Sequence, residues 1–313
     1  MISASRNARR RMKLARLTAA LLLCAALWLP GVARAQGAVK LYTRQATLGG
    51  KLAAAMLVVG YERDAKAMER LLSAVEQRAG ALAAALDWQS PGSEVARINA
   101  QAGRGPVVVS DDTVAAFEEA KDISKMTKGW FDIAAYGKGS YKDIKVNRGS
   151  RTVELKKEGM RVAFDGMLEG FVAEYMIRLI SSSGMQNALA KVGNVFRGVG
   201  TGLNGPWKIQ VQDDASTFAR HALNLKVINS GIATISATEY RGKPLVNPKN
   251  KQAMSPPCKG VTVVMPNAAQ AQGVAKAAFT AGPGEGYKLI GKVGKAAGLI
   301  VDSQGKFLRT KGF

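Results

Sequence analysis

The sequence predicts a single α+β domain, because helical and strand patterns are mixed without the steady alternation of a doubly wound sheet. Apolar residues between positions 64 and 86 recur mostly at intervals of three and four, which is typical of an amphipathic helix. Residues 38–60 instead contain two β-rich runs joined through Gly49-Gly50, a pattern typical of a hairpin. No internal repeat or long linker divides the rest, so we expect one domain over residues 36–313.

The remaining elements follow in an order that supports this fold class. Ser110 and the two acids after it predict a helix start, and Gly129 predicts its end. Strand patterns at 152–155 and 161–164 lie on either side of Gly159, which predicts a turn. Downstream, the sequence predicts helices at 170–184 and 267–281, strands at 187–192, 207–211, 222–228 and 261–265, and a closing hairpin over 298–308.

Residues 1–35 have the features of a cleaved signal peptide. Basic residues between positions 6 and 16 precede an apolar stretch at 17–29, and Ala33-Arg34-Ala35 fits a cleavage site. The apolar stretch is shorter than the roughly 20 residues of a spanning helix. Leu23 is a large residue where lipidation at Cys24 needs a small one, which disfavours a lipid anchor. We therefore expect a periplasmic protein whose mature chain has no transmembrane helix.

The chain is strongly basic, with 45 Lys and Arg against 23 Asp and Glu and a net charge of +22. Such an excess attracts nucleic acid, anionic lipid or an anionic substrate. Export and the dispersed positions of the basic residues argue against nucleic acid. His221 is the single histidine, which excludes a multi-histidine metal site, and we expect it in a loop or at a strand edge. Only Cys258 remains beyond the leader, which excludes an intramolecular disulfide in the mature chain.

Several short blocks follow one another at characteristic separations. They are Ser-Glu-Val-Ala-Arg-Ile-Asn at 93–99, Gly-Trp-Phe-Asp-Ile at 129–133, Val-Gly-Asn-Val at 192–195, Pro-Trp-Lys-Ile at 206–209 and Ala-Thr at 233–234 with Ser236. In order and spacing these blocks resemble the FAD:protein FMN transferases, the ApbE family. The resemblance extends from about residue 40 to the end of the chain and implies that family's α+β fold.

The resemblance also implies an activity. Enzymes of this family bind FAD, cleave its pyrophosphate with the help of Mg²⁺, and attach FMN through a phosphoester to a threonine or serine of an acceptor protein. Here the acceptor is expected to be exported or membrane-associated. The positions that the resemblance assigns to flavin binding are Phe131, Asp132, Gly170, Gly193, Asn194, Thr234 and Pro248.

The chain departs from the family pattern where the chemistry lies. The family's Ala-Asp-Ala-Leu-Ala-Thr helix supplies two magnesium ligands, and their counterparts here are Gln272 and Lys276. The family's third ligand is a main-chain carbonyl, and its counterpart here is that of Leu168. Magnesium prefers anionic oxygen, so an amide is a weaker ligand and an ammonium group repels the ion. Glu169 replaces a family lysine, and Asn247 stands where the family has an aspartate. These two residues are the candidate catalytic positions.

Three interpretations follow from these departures. In the first, the chain still transfers FMN, with Lys276 acting as a fixed cation and Glu169 as a displaced acid. In the second, the fold persists as a catalytically degenerate scaffold that binds flavin or protein. In the third, which the charge alone supports, the chain is a basic exported module that binds anionic lipid or polymer.

Overall fold

The computed structural model describes residues 37–211 and 223–313. The predicted signal peptide and His221 lie outside these residues. The described chain divides into two units, a small one of residues 37–39 and 61–63 and a large one that holds 40–60 and the described residues from 64 onward. In the described part of the chain, no helix is both long and apolar enough to cross a membrane.

Helices and strands alternate irregularly, which confirms the α+β class. The helices are α1 (Ala65–Leu86), α2 (Glu94–Ala100), α3 (Asp111–Met126), α4 (Leu168–Ser182), α5 (Ala268–Ala281) and α6 (Pro283–Lys292), with short 3-10 helices at Glu62–Asp64, Tyr141–Asp143 and Ala237–Tyr240. The strands are β1 (Val39–Leu48), β2 (Leu52–Tyr61), β3 (Val107–Val108), β4 (Ile144–Asn147), β5 (Thr152–Leu155), β6 (Ala188–Val192), β7 (Val195–Val199), β8 (Trp207–Val211), β9 (Leu223–Val227), β10 (Gly231–Ser236), β11 (Leu245–Val246), β12 (Ala253–Met254), β13 (Cys258–Met265), β14 (Ala297–Asp302) and β15 (Phe307–Arg309).

The largest sheet has eight strands in the order β1-β2-β6-β7-β10-β13-β14-β15. Strands β10 and β13 are antiparallel neighbours near its middle, with Thr234 opposite Thr262. Because these central strands are covered on both faces, β10 is buried throughout and β13 almost throughout. Helix α5 packs on both of them, and α4 packs against α5.

Close packing around α5 depends on glycine. A Cβ atom on Gly170 of α4 would lie 2.4 Å from the Ala268 carbonyl oxygen, and one on Gly273 would lie 2.4 Å from the Ile123 side chain. Every residue of α5 from Ala271 to Thr280 is buried. Asn267 caps the helix by accepting a hydrogen bond from the Gln270 amide at 2.9 Å. The polar residues of α5 are thereby held within the protein at fixed positions.

Most of the predicted elements are present, within a few residues at their ends, and one is wrong. Residues 161–164 form no strand, because their backbone groups bond elsewhere. The Asn99 side chain accepts from the Val162 amide at 2.8 Å and donates to its carbonyl at 2.9 Å, while the Ala163 amide donates to Ile133. Asn99, the last residue of the 93–99 block, therefore holds this segment in place through two hydrogen bonds. Two helices, α2 and α6, and several strands, among them the central strand β10, were not predicted.

Candidate functional site

A narrow cleft forms where α5 passes the segments around Phe131 and Pro248. Its lining consists of Trp130, Phe131, Asp132, Ala135, Tyr136, Asp165, Val246, Pro248, Lys276 and Thr280. The enclosed volume is about 20 Å³, which is room for about one water molecule. Phe131 is only 2% exposed and forms part of the core. Trp130 and Tyr136 are half-buried and present aromatic surface to the cleft.

Lys276 supplies a buried positive charge to this cleft. Its side chain is only 8% exposed, and its ammonium group donates a hydrogen bond to the Tyr240 hydroxyl. The Nζ atom also lies 4.1 Å from the centre of the Tyr240 ring. Burial lowers the pKa of Lys276 to about 8, against the opposing influence of Asp165 and Glu239. The ammonium form therefore still predominates at neutral pH.

Gln272 lies one helical turn before Lys276 and joins α5 to the start of α4. Its Oε1 atom accepts a hydrogen bond from the Gly170 amide at 2.7 Å, and its Nε2 atom donates to Glu169 Oε2 at 2.5 Å. Leu168 is the first residue of α4, so the helix itself uses its carbonyl. The side-chain oxygen of Gln272 thus already accepts a hydrogen bond from a backbone amide.

Glu239 brings a carboxyl group to the same region. Its Oε1 atom accepts hydrogen bonds from the Ser236 amide at 3.1 Å and from Asn194 Nδ2 at 3.3 Å. Burial raises the pKa of Glu239 to about 7, an effect that the charge of Glu169 reinforces and Lys276 opposes. Glu239 therefore exchanges a proton near neutral pH.

Asp165 is a second acid whose pKa is raised. Solvent reaches this residue, yet the surrounding protein desolvates its carboxyl group, and that desolvation raises the pKa first, followed by the charge of Glu169. The region around Lys276 therefore contains three acidic residues, Asp165, Glu169 and Glu239.

Other residues expected to bind flavin hold the local backbone. Asp132 accepts from the Ala134 amide at 2.8 Å and from the Tyr141 amide at 3.1 Å, and burial raises its pKa. Gly193 has a φ of +53° in the turn between β6 and β7, close to Glu169. The Thr234 hydroxyl lies 3.0 Å from that of Thr262 within the sheet.

Asn247 and Pro248 precede a turn at the edge of the cleft. The Asn247 side chain accepts from the Lys249 amide at 2.9 Å, so it stabilises that turn. Pro248 lines the cleft. Lys249 lies over the Trp130 ring at 5.4 Å, which adds a positive charge beside the half-buried aromatic surface.

The structure therefore brings together part of the predicted site. Glu169, Gly170, Gly193 and Gln272 are neighbours, and Lys276 shares a cleft with Phe131, Asp132 and Pro248. The Thr234 hydroxyl instead bonds to that of Thr262, and the Asn247 side chain accepts from the Lys249 amide. Sequence reasoning missed Glu239 and Tyr240, whose only local signal was an acid beside a tyrosine just after the Ala233-Thr234 block.

Comparison with known proteins identifies the family. The ApbE family model matches residues 43–138 and 134–300. The chain belongs to the ApbE family. Among curated ApbE relatives, an FAD:protein FMN transferase of Treponema pallidum (strain Nichols) is 21% identical over 262 residues, covering 69% of this chain and 71% of the relative. One of Klebsiella pneumoniae (strain 342) is 27% identical over 145 residues, covering 42% and 40%.

Solved ApbE structures share the fold. The apo flavinyl transferase ApbE of Pseudomonas stutzeri has a TM-score of 0.74 at 18% identity, covering 87% of this chain and 94% of its own. The flavin transferase ApbE of Vibrio cholerae has a TM-score of 0.71 at 15% identity, covering 88% and 99%. At these identities the likeness establishes the fold.

The residues at the expected magnesium position do not fit that ion in this ApbE chain. Magnesium needs several oxygen ligands in near-octahedral geometry, but Gln272 offers one neutral amide oxygen that already accepts a hydrogen bond from the Gly170 amide. The ammonium group of Lys276 repels a cation. Among the described residues, no group of three or more acidic, histidine or cysteine side chains is arranged to hold a metal.

Proposed function

We propose that this chain is an FAD:protein FMN transferase in which Lys276 supplies the positive charge beside the transferring phosphoryl group. The observation that carries this proposal is the buried ammonium group, held by Tyr240 in the wall of an aromatic-lined cleft. Lys276 occupies a position that the family resemblance assigns to a magnesium ligand. The curated relatives and the family membership support the reaction class.

The reaction joins an acceptor hydroxyl to the FMN phosphorus of FAD and releases AMP. Negative charge on the non-bridging phosphoryl oxygens has to be stabilised as the pyrophosphate bond breaks. Lys276 has three N–H donors, of which one serves Tyr240, and the others can donate to phosphoryl oxygens. Because the group is already desolvated and fixed, little reorganisation accompanies this stabilisation.

The surroundings of the cleft suit a flavin dinucleotide. Its enclosed volume is too small for a flavin ring, so we place the ring at the mouth, against Trp130 and Tyr136. Lys249, beside Trp130, adds positive charge for the pyrophosphate. Glu169 acts in this scheme by bonding to Gln272 and so keeping α4 and α5 in register.

We also propose that the acceptor is exported or membrane-associated, since the leader predicts transport to the periplasm. The transfer experiment incubates purified chain with FAD and an extract of exported proteins from the source organism, with Mg²⁺ or with EDTA. Flavin fluorescence of denatured protein bands, mass spectrometry of those bands and AMP release are measured. Transfer in EDTA that is lost in Lys276→Met and kept in Lys288→Met supports the proposal. Transfer that requires Mg²⁺ contradicts the assigned role of Lys276.

One set of contacts favours a second candidate, a flavin-binding scaffold without transfer activity. The side chain of Gln272 is hydrogen-bonded to both Gly170 and Glu169. The Asn247 side chain accepts a hydrogen bond within a turn. That candidate predicts saturable quenching of flavin fluorescence on FAD binding, with neither a covalent adduct nor AMP release. A chain that binds no FAD contradicts both candidates.

A further inference from the structure

Glu239 is positioned by contacts that restrain one of its two carboxylate oxygens. It lies in the 3-10 helix Ala237–Tyr240, directly after the central strand β10. The Ser236 amide and the Asn194 side chain both donate to Oε1. Helix capping accounts for the first of these bonds, and neither of the two bonds uses Oε2.

The next residue in the chain connects Glu239 to the cation of the cleft. Tyr240 accepts the hydrogen bond of Lys276, so a carboxyl group and an ammonium group are fixed by adjacent residues of one short helix. The charged groups that act on Glu239 are Glu169 from α4 and Lys276 from α5. The Gln272 contacts also join α4 to α5, so the two helices that carry these charges are hydrogen-bonded to each other.

An acceptor hydroxyl needs a base, because threonine and serine are weak nucleophiles while protonated. Asn247 cannot serve, since an amide does not take up a proton at neutral pH. Glu239 is half-buried, precedes the tyrosine that holds Lys276, and feels the charge of that lysine. This placement suits a base, and a pKa of about 7 matches the requirement for an efficient one.

We propose that Glu239 is the catalytic base that takes the proton from the acceptor hydroxyl during FMN transfer, an assignment that rests on the proposed function. The hydroxyl oxygen forms a bond to the FMN phosphorus as the bond from that phosphorus to the bridging oxygen breaks. The electron pair of the broken bond leaves with AMP. The hydroxyl proton passes to Oε2 of Glu239.

The test compares wild type, Glu239→Gln and Glu285→Gln, using FAD and the extract of exported proteins between pH 5.5 and 9. Glutamine can keep the Ser236 contact, while Glu285 lies exposed on α6 and provides a matched control. We expect Glu239→Gln to lower the transfer rate about 100-fold or more and to abolish the rise in rate through pH 7. Affinity for FAD should change less than about threefold.

Chemical rescue separates a base from a structural cap. Sodium formate should accelerate transfer by Glu239→Ala at least about tenfold, because a small carboxylate can accept the proton in place of the deleted side chain. Sodium chloride at equal ionic strength should not. Wild-type-like rate and pH dependence in Glu239→Gln, or no formate rescue, would overturn the assignment alone. Failure of wild type to form any adduct would overturn the proposed function and this assignment with it.

Discussion

Replacing Lys276 with methionine should change how stability depends on pH. Burial lowers the pKa of Lys276 from 10.5 to about 8 in the folded chain. Between these values the unfolded chain binds more protons, so the free energy of unfolding rises with pH. At 1.36 kcal/mol per pKa unit, the buried charge costs about 3 kcal/mol at pH 7 and about 1 kcal/mol at pH 10. Wild type should therefore gain about 2 kcal/mol relative to Lys276→Met over this range.

Urea unfolding of both proteins at several pH values between 7 and 10 measures this difference. Only the change in the difference matters, so any constant effect of the lost Tyr240 contact cancels. Lys288→Met is the matched control, because Lys288 is exposed on α6 and its pairing with Glu285 raises its pKa. It should give a stability curve parallel to wild type between pH 7 and 9. Parallel curves for wild type and Lys276→Met would refute the claim that this lysine is buried and charged.

Two further predictions test the packing and the metal preference of α5. Gly170→Ala should destabilise the fold by at least about 2 kcal/mol, because the new Cβ would meet the Ala268 carbonyl. The control Gly291→Ala places its Cβ in open space on α6 and should be neutral or slightly stabilising. Urea unfolding measures both changes in stability. The double variant Gln272→Asp/Lys276→Thr introduces the two side chains that the family resemblance assigns as magnesium ligands. It should bind Mg²⁺ in isothermal titration calorimetry, while wild type should show no saturable heat.

The fold was largely predictable because local signals and tertiary contacts agree. Ser110 caps α3 as expected, accepting a hydrogen bond from the Thr113 amide, and Gly49-Gly50 both adopt positive φ between β1 and β2. The failure at 161–164 has a tertiary cause, since Asn99 bonds to Val162 from 63 residues away. Helix α6 follows α5 after Gly282 alone, so its start was obscured by the preceding helix.

The site was less predictable because long-range contacts determine its chemistry. Gln272 and Lys276 were identifiable as departures from the family pattern, and their spacing places both on one face of α5. Nothing local indicates that Tyr240 reaches Lys276, or that Asn194 reaches Glu239 across 45 residues. Burial then gives Glu239 its proton affinity near neutral pH, which is a property of the assembled fold.

If Lys276 stands where the family resemblance assigns a magnesium ligand, as proposed, the charge balance of the cleft changes as well. Magnesium carries two positive charges, whereas Lys276 brings one to a region that already contains Asp165, Glu169 and Glu239. Burial, reinforced by the charge of Glu169, raises the pKa of both Asp165 and Glu239, and an acid that takes up a proton adds no negative charge. A doubly negative pyrophosphate near this cluster would raise those pKa values further. One ammonium group can therefore balance this cluster, because Glu239, whose pKa lies at about 7, can take up a proton when an anionic substrate approaches.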